Sequence, residues 1–293
     1  MVREFFAHYA FALQDEYVQG AAIDYLACQA KQAPGRWPGL ADLSDDWARL
    51  LVLSQAIATG HREFARMGTR RAPGGYRFWL EQHAERFLQQ QRRYLEHLGL
   101  LPVLPDLKAL PPGSWAVQFT FTLAKPYLSQ DDTEFYILDN PVRKEWVFKV
   151  PYVAPSQWKG ALRAAMRRRR GYTTWEEESQ DAQMMRLFGN IKGEEENFSV
   201  GRLFFYPTFF DRIGLEVINP HPRDTGAGRQ PIYFECVPAG ARGTFTLLYV
   251  PLDGGPVDEA IIQADLQAVV EGLRAMFTEY GFGAKTSSGY GVA

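Results

Sequence analysis

Trp115-Ala116-Val117-Gln118-Phe119-Thr120-Phe121-Thr122-Leu123 alternates Val117, Phe119, Phe121 and Leu123 against Gln118, Thr120 and Thr122. A period of two predicts a half-buried strand, because successive side chains on a strand point to opposite faces. Upstream the period is different. Phe6, Tyr9, Ala10, Leu13, Tyr17, Ile23, Leu26 and Ala27 recur at helical spacing, and Ala33-Pro34-Gly35 ends the run. Ser44-Asp45-Asp46 caps a second helix carrying Trp47, Leu50, Leu51, Leu53 and Ile57, and Tyr76 to Leu98 makes a third. A Pro-rich connector from Leu101 to Gly113 separates the two textures. The reading is therefore a helical N-terminal region, 1–112, followed by an α+β domain, 113–293.

Downstream of the strand, Lys125 to Glu145 is polar, Trp146 to Tyr152 reads as a strand, and Pro155-Ser156 launches a helix that ends in Arg167 to Arg170. Trp175-Glu176-Glu177-Glu178 opens another helix, with its acidic residues read as solvated first-turn charges. Further strands are predicted at Gly201–Pro207, Leu215–Ile218, Ile232–Val237 and Thr244–Val250, and a last helix at Val257–Tyr280. This order can be drawn as a ferredoxin-like βαββαβ core with a hairpin inserted in Lys125–Val150.

At 293 residues, 46% hydrophobic and 23% charged, the chain is long enough for two cores and reads as soluble. A formal net charge of −2 excludes a protein that coats nucleic acid indiscriminately, so any nucleic-acid site must be a local patch. No apolar run reaches membrane-spanning length and no signal peptide opens the sequence, which predicts a cytoplasmic protein with no membrane partner. Cys28 and Cys236 lack metal-ligand spacing and are expected as reduced thiols. His8, His61, His83, His97 and His221 form no zinc motif, and His221 sits in an Asn-Pro-His-Pro turn.

Three stretches carry chemistry. Lys159, Arg163, Arg167 and Arg170 share one face of their helix, with no acidic residue along it, which suits either a solvated surface or a phosphate-binding face. Gly281-Phe282-Gly283-Ala284-Lys285-Thr286-Ser287-Ser288-Gly289-Tyr290-Gly291 combines four glycines with a cation and three hydroxyls. It follows a helix instead of preceding one and lacks the Gly-Lys-Ser/Thr ending of a nucleotide loop. Serial amides and hydroxyls suit a sugar-phosphate backbone better, and a plain chain reversal is the alternative. Asp139-Asn140-Pro141 is either a turn initiator or a chemical site.

Val150-Pro151-Tyr152-Val153-Ala154-Pro155-Ser156-Gln157-Trp158-Lys159-Gly160-Ala161-Leu162-Arg163 resembles the P-x-I-P-G-S-S-L-K-G-x-L-R segment of RAMP proteins, subunits of CRISPR effectors. Leu187-Phe188-Gly189, Gly201-Arg202-Leu203 and the terminal glycine loop follow in the family's order, so the resemblance covers roughly residues 115 to 291. Ala154 and Trp158 depart from the pattern, where glycine and leucine are usual, and the sequence stops directly after the glycine loop. Asn219-Pro220-His221 and the helical N-terminal region are similar to the end-capping sixth subunit of type III-B complexes. Asp139-Asn140-Pro141-Val142-Arg143 is similar to the loop whose aspartate cuts target RNA in the backbone subunits.

The resemblance implies a guide-RNA-binding subunit of a type III effector, with guide RNA, target RNA and other effector subunits as partners. It places RNA on Lys159, Gly160, Arg163, Arg167, Arg170, Arg143, Lys144, Gly281, Gly283, Lys285, Thr286, Ser287, Ser288, Gly289 and Tyr290. The Lys125–Val150 hairpin would displace a base. No tightly bound cofactor is implied, but a divalent metal could assist cleavage at Asp139. The alternatives are a non-catalytic end-capping subunit and a guide-processing endoribonuclease, for which this region offers only tyrosines such as Tyr127 and Tyr136.

Overall fold

The computed structural model describes residues 9, 16–33, 38–59, 61–69, 74–131, 136–190, 199–219, 231–252 and 258–293. The elements in chain order begin with helices α1 (Glu16–Leu26), α2 (Asp46–Leu53), α3 (Arg62–Met67), α4 (Gly75–Gln82) and α5 (Ala84–His97). Strands β1 (Trp115–Thr122) and β2 (Tyr152–Val153) precede helices α6 (Pro155–Arg170), α7 (Trp175–Ser179) and α8 (Ala182–Phe188). Strands β3 (Leu203–Phe205), β4 (Thr208–Phe209), β5 (Gly214–Ile218), β6 (Ile232–Cys236) and β7 (Arg242–Tyr249) lead to helix α9 (Glu259–Ala275). The fold is α+β.

The chain divides into two units, and a single cut near residue 112 does not describe them. One comprises Met1–Arg92, Gln130–Val142 and Arg212–Cys236; the other comprises Arg93–Ser129, Arg143–Asp211 and Val237–Ala293. The first unit is thus assembled from three separate lengths of chain.

In the first unit, Asp45 caps α2 by accepting from the Ala48 amide at 2.8 Å, as its Ser-Asp-Asp signature requires. Trp47 stacks on Phe87 at 5.9 Å and Tyr76 on Trp79 at 5.8 Å, giving an aromatic core. The antiparallel hairpin β5–β6 runs from Gly214↔Cys236 to Ile218↔Ile232.

In the second unit, β1, β7 and β3 form an antiparallel sheet in that order, with Trp115↔Tyr249 and Thr122↔Arg242 bounding the β1–β7 register. β1 and β3 therefore run the same way with β7 between them, and α6 lies on the crossover connecting them. The alternation seen in β1 is realised: Phe121 is buried and Gln118, Thr120 and Thr122 are exposed. Trp158 sits fully buried at the centre of the core, 4.6 Å from Phe282 and 5.0 Å from Phe245, and its indole donates to Thr208 Oγ1 at 3.0 Å. The Trp158 departure from the family pattern is thus a filled core position with its polar atom satisfied.

Two expectations are corrected. The hairpin expected across Lys125–Val150 shrinks, among the described residues, to a tight reversal. Glu145 N donates to Val150 O at 2.9 Å and Tyr152 N to Arg143 O at 3.1 Å. Trp146–Phe148 is a turn because the Glu145 carboxylate accepts from the Val147 and Phe148 amides, at 2.8 and 2.6 Å, leaving them nothing for a ladder. After α9 the described residues contain no closing strand. A π turn, Met276–Tyr280, leads into the glycine loop.

Candidate nucleic-acid interface

α6 begins with Pro155 in its first turn and ends at Gly171, whose φ of 74° lets the chain leave in the left-handed conformation. Its basic stripe does not stand alone. Glu178 of α7, wholly buried, takes Arg163 Nε, and its other oxygen lies 3.0 Å from Arg167 Nε without the angle of a hydrogen bond. α7 is placed by a capping box between Thr174 and Glu177. Asp181, which caps α8, takes Arg170 and the Tyr172 hydroxyl. Burial pushes the Asp181 carboxyl up, but the Met184 amide, Tyr172 and Arg170 outweigh it and hold it below its ordinary value.

The acidic partners absent from the α6 sequence thus arrive from the next two helices, and Glu178 is not the solvated first-turn charge expected. Arg163, Arg167 and Arg170 are engaged inside the unit. Lys159, half-buried, has no carboxylate partner among the described residues, and burial together with neighbouring Arg163 holds its ammonium below the ordinary lysine value. Gly160 is exposed with open space around it.

The glycine loop is pinned against the start of α6. Phe282 packs on Trp158, and Tyr127 lies 5.7 Å from Phe282 while donating to Gln157 Oε1 at 2.9 Å. The first turns of α6 and the loop therefore share one aromatic core. Five of the amides expected to face a ligand are spent: Phe282, Ala284, Ser288, Gly289 and Gly291 donate to protein carbonyls at 2.7–2.9 Å. Gly283 is required by close approach, since a Cβ there would lie 2.4 Å from Leu128 O, with φ at 93°. Gly289 has φ 84° and nothing within 4 Å of a Cβ. Lys285, Ser287, Ser288 and Gly289 are exposed, Thr286 and Tyr290 half-buried.

Arg143 is exposed and stands 5.8 Å from the Tyr152 ring centre, whereas Lys144 is buried and does not belong to an open groove. At the tip of the tight reversal, Trp146 is 78% and Val147 69% exposed, with the Lys149 ammonium 4.9 Å over the Trp146 ring. The tip thus holds an aromatic and a β-branched side chain in water.

Asp139 lies in the first unit on a segment held from below. Glu235, buried on β6, accepts from the Tyr76 hydroxyl, from the Tyr136 hydroxyl at 2.7 Å and from the Val142 amide at 2.9 Å, while its own amide donates to Asn140 O at 2.9 Å. Ile137 and Leu138 are buried, so Asp139 is turned outward, its side chain 58% exposed. Its Oδ1 takes Arg62 and, at 2.9 Å, Arg66 of α3. Arg62, Arg66 and Glu235 were missed in the sequence. The four-residue spacing of the arginines and a lone carboxylate inside the apolar run Ile232–Val237 were the available signals.

The described residues offer a divalent cation no cluster of protein ligands at Asp139. One of its oxygens already faces two guanidiniums, and no group of three His, Cys, Asp or Glu side chains among the described residues converges as metal ligands. His221 and the Gly226–Arg229 loop lie outside the described residues. Tyr127 and Tyr136 are both buried; burial lifts Tyr127 to about 12, and burial with Glu235 raises Tyr136 well above its ordinary value. No helix among the described residues is long and apolar enough to cross a membrane, and Cys28 and Cys236 are both free thiols.

The model of the RAMP superfamily matches residues 76–293, and the chain belongs to that superfamily. Among curated proteins it is similar to the CRISPR system Cms endoribonuclease Csm3 of Streptococcus thermophilus, 28% identical over 167 residues, covering 53% of this chain and 73% of the relative. Among solved structures it is similar to a chain of the type III-B Cmr-beta assembly bound to cognate target RNA, at 17% identity and a TM-score of 0.49, covering 98% of this chain and 89% of that one.

Proposed function

We propose that this chain is a guide-RNA-binding subunit of a type III CRISPR ribonucleoprotein effector, and that Asp139 cuts the target RNA within the assembled complex. Membership of the superfamily and the likeness to an endoribonuclease subunit support the setting. The observation that carries the cleavage reading is an outward carboxylate on a loop locked by the buried Glu235. The three antiparallel strands, with α6 on the crossover and α9 following β7, support the reading of a ferredoxin-like unit that lacks its last strand.

Guide RNA lies across the start of α6 and the glycine loop. Lys159 and Lys285 hold phosphates, and Thr286, Ser287, Ser288 and Tyr290 supply hydroxyls, with Gly160 and Gly289 leaving room for the backbone. Arg163, Arg167 and Arg170 form the rigid wall behind them, and Arg143 extends the positive edge. Trp146 and Val147 form the wedge on which a displaced base stacks. At Asp139, the 2′-hydroxyl of the target attacks the adjacent phosphate as its proton passes to the carboxylate. The 5′-oxygen leaves with a proton from solvent, giving a 2′,3′-cyclic phosphate and a 5′-hydroxyl.

The test is to purify the complex with its partners, sequence the bound RNA, and compare target cutting by the native chain and Asp139→Ala. Uniform short RNAs with repeat-derived ends, and cutting lost with target binding kept, are the expected results. Unchanged cutting would leave the second reading, a non-catalytic subunit in which the double arginine pairing makes Asp139 a tie between α3 and the 136–142 segment. The buried hydroxyls of Tyr127 and Tyr136 give the guide-processing reading no support.

A further inference from the structure

Arg62 and Arg66 stand four residues apart on α3 and both reach the same oxygen of Asp139, but they are unlike in every other respect. Arg66 is 3% exposed, and its Nε donates to the Ile137 carbonyl at 2.6 Å while Nη2 donates to Asp139 Oδ1 at 2.9 Å. One guanidinium thus fixes both the backbone two residues before the aspartate and the carboxylate itself, a geometry only a planar fork supplies. Arg62 is 41% exposed, makes one bond to Oδ1, and leaves its Nε without a partner. Asp139 Oδ2 takes no bond from any described residue.

We infer that the two arginines divide the work at Asp139: Arg66 is its positioning residue, and Arg62 is the group that transfers from Asp139 to the phosphate under attack. This rests on the reading that Asp139 cuts RNA. With Oδ1 and the Ile137 carbonyl clamped together, Oδ2 is the oxygen left pointing to solvent, where the 2′-hydroxyl proton is taken. A solvent-exposed ion pair is exchanged at little cost, so an arriving phosphate, which gains negative charge in the transition state, draws Arg62 across. Arg66 stays, since leaving would strand a buried guanidinium. No bond of the chain is made or broken in this exchange; the 2′-hydroxyl proton still goes to Asp139.

The experiment uses the assembled complex with its guide and measures single-turnover cutting and target affinity in parallel for Asp139→Ala, Arg66→Lys, Arg66→Ala, Arg62→Lys and Arg62→Met. Arg66→Lys lowers the cutting rate about 100-fold, as misplacement of a reacting group does, with affinity unchanged. Guanidinium ion added to Arg66→Ala restores part of the rate, which a merely structural role would not show. Arg62→Met also cuts slowly, whereas Arg62→Lys keeps most of the rate because a point charge suffices for a phosphate. If Asp139→Ala is inactive while Arg66→Lys and Arg62→Met cut normally, the inference is overturned and the cleavage reading stands. If Asp139→Ala cuts normally, the cleavage reading itself fails. Should Arg66→Ala not assemble, the Lys variants and Arg62→Met decide.

Discussion

Arg167 Nε lies 3.0 Å from Oε2 of Glu178, a carboxylate with no exposed surface, although the two residues belong to different helices. With Arg163 on its other oxygen, this carboxylate ties α6 to α7 through charges that water cannot replace. Removing Arg163 would leave Glu178 buried with its compensation halved. Arg163→Ala is therefore expected to cost about 3–5 kcal/mol in denaturant unfolding, the range for breaking a buried pair. The salt dependence of RNA binding should stay as it was, and a lowered slope for this variant would return Arg163 to the phosphate contacts.

Lys159 and Lys285 carry the opposite expectation. Each replaced by alanine should reduce the slope of log affinity against log salt by about 0.7–0.9, the counterion release of one phosphate contact, with little change in folding stability. Filter binding of guide RNA across a salt series checks this. An unchanged slope for both would remove the glycine loop and the start of α6 from the RNA path.

Lys159 also sets a pH dependence. Burial and Arg163 depress its ammonium below the ordinary lysine value, so the folded chain sheds this proton first as pH rises. Between its lowered point and the ordinary lysine range, the unfolded chain binds more protons than the folded one, and this residue's contribution to stability increases with pH. RNA affinity moves the other way, because the lost charge is a phosphate partner. Subtracting the alkaline profile of Lys159→Met from that of the native chain should show both trends, and an RNA-affinity difference that does not vary with pH would contradict the contact.

The glycines of the terminal loop separate fold from ligand. Gly283→Ala would force a Cβ against Leu128 O at 2.4 Å in a positive-φ backbone, and a loss of at least about 2 kcal/mol is expected. Gly289→Ala meets open space and should cost only the left-handed penalty, about 1 kcal/mol. If the RNA backbone approaches there, Gly289→Ala weakens RNA binding more than it weakens the fold; melting curves and binding isotherms on the same samples decide.

Trp146 touches little of its own protein beyond Lys149. Trp146→Ala should leave melting within about 0.5 kcal/mol and lower target affinity by about 1–3 kcal/mol, the value of one stacked base. Equal affinity for native and variant complexes would dismiss the wedge.

Elements with a strong local signal were legible in the sequence: β1 and α9 follow from residue spacing, and α6 from its Pro155-Ser156 start. The glycine loop stood out by composition, but its anchoring did not, because Ala284 and Gly291 donate to the carbonyls of Leu128 and Pro126, far away in the sequence. The balance of the arginine stripe was hidden for the same reason, Glu178 and Asp181 being brought to it by turns between helices. Asp139 was singled out by its motif, but its arginine partners lie 73 and 77 positions away, beyond any local signal. The inserted hairpin failed where a side chain, Glu145, took the amides that strand pairing requires.

The first unit draws on residues up to 92, then 130–142, then 212–236, so its helices are synthesised well before the strands they need. At the about 5–20 residues per second of a ribosome, the wait is on the order of ten seconds. Through that interval Tyr76 has no Glu235 to bond, and for about its first third Arg66 has no Asp139. The Asp139 segment is therefore made long before the Glu235 that holds it, and a chain that stops before residue 235 carries the aspartate and its arginines without that buried support.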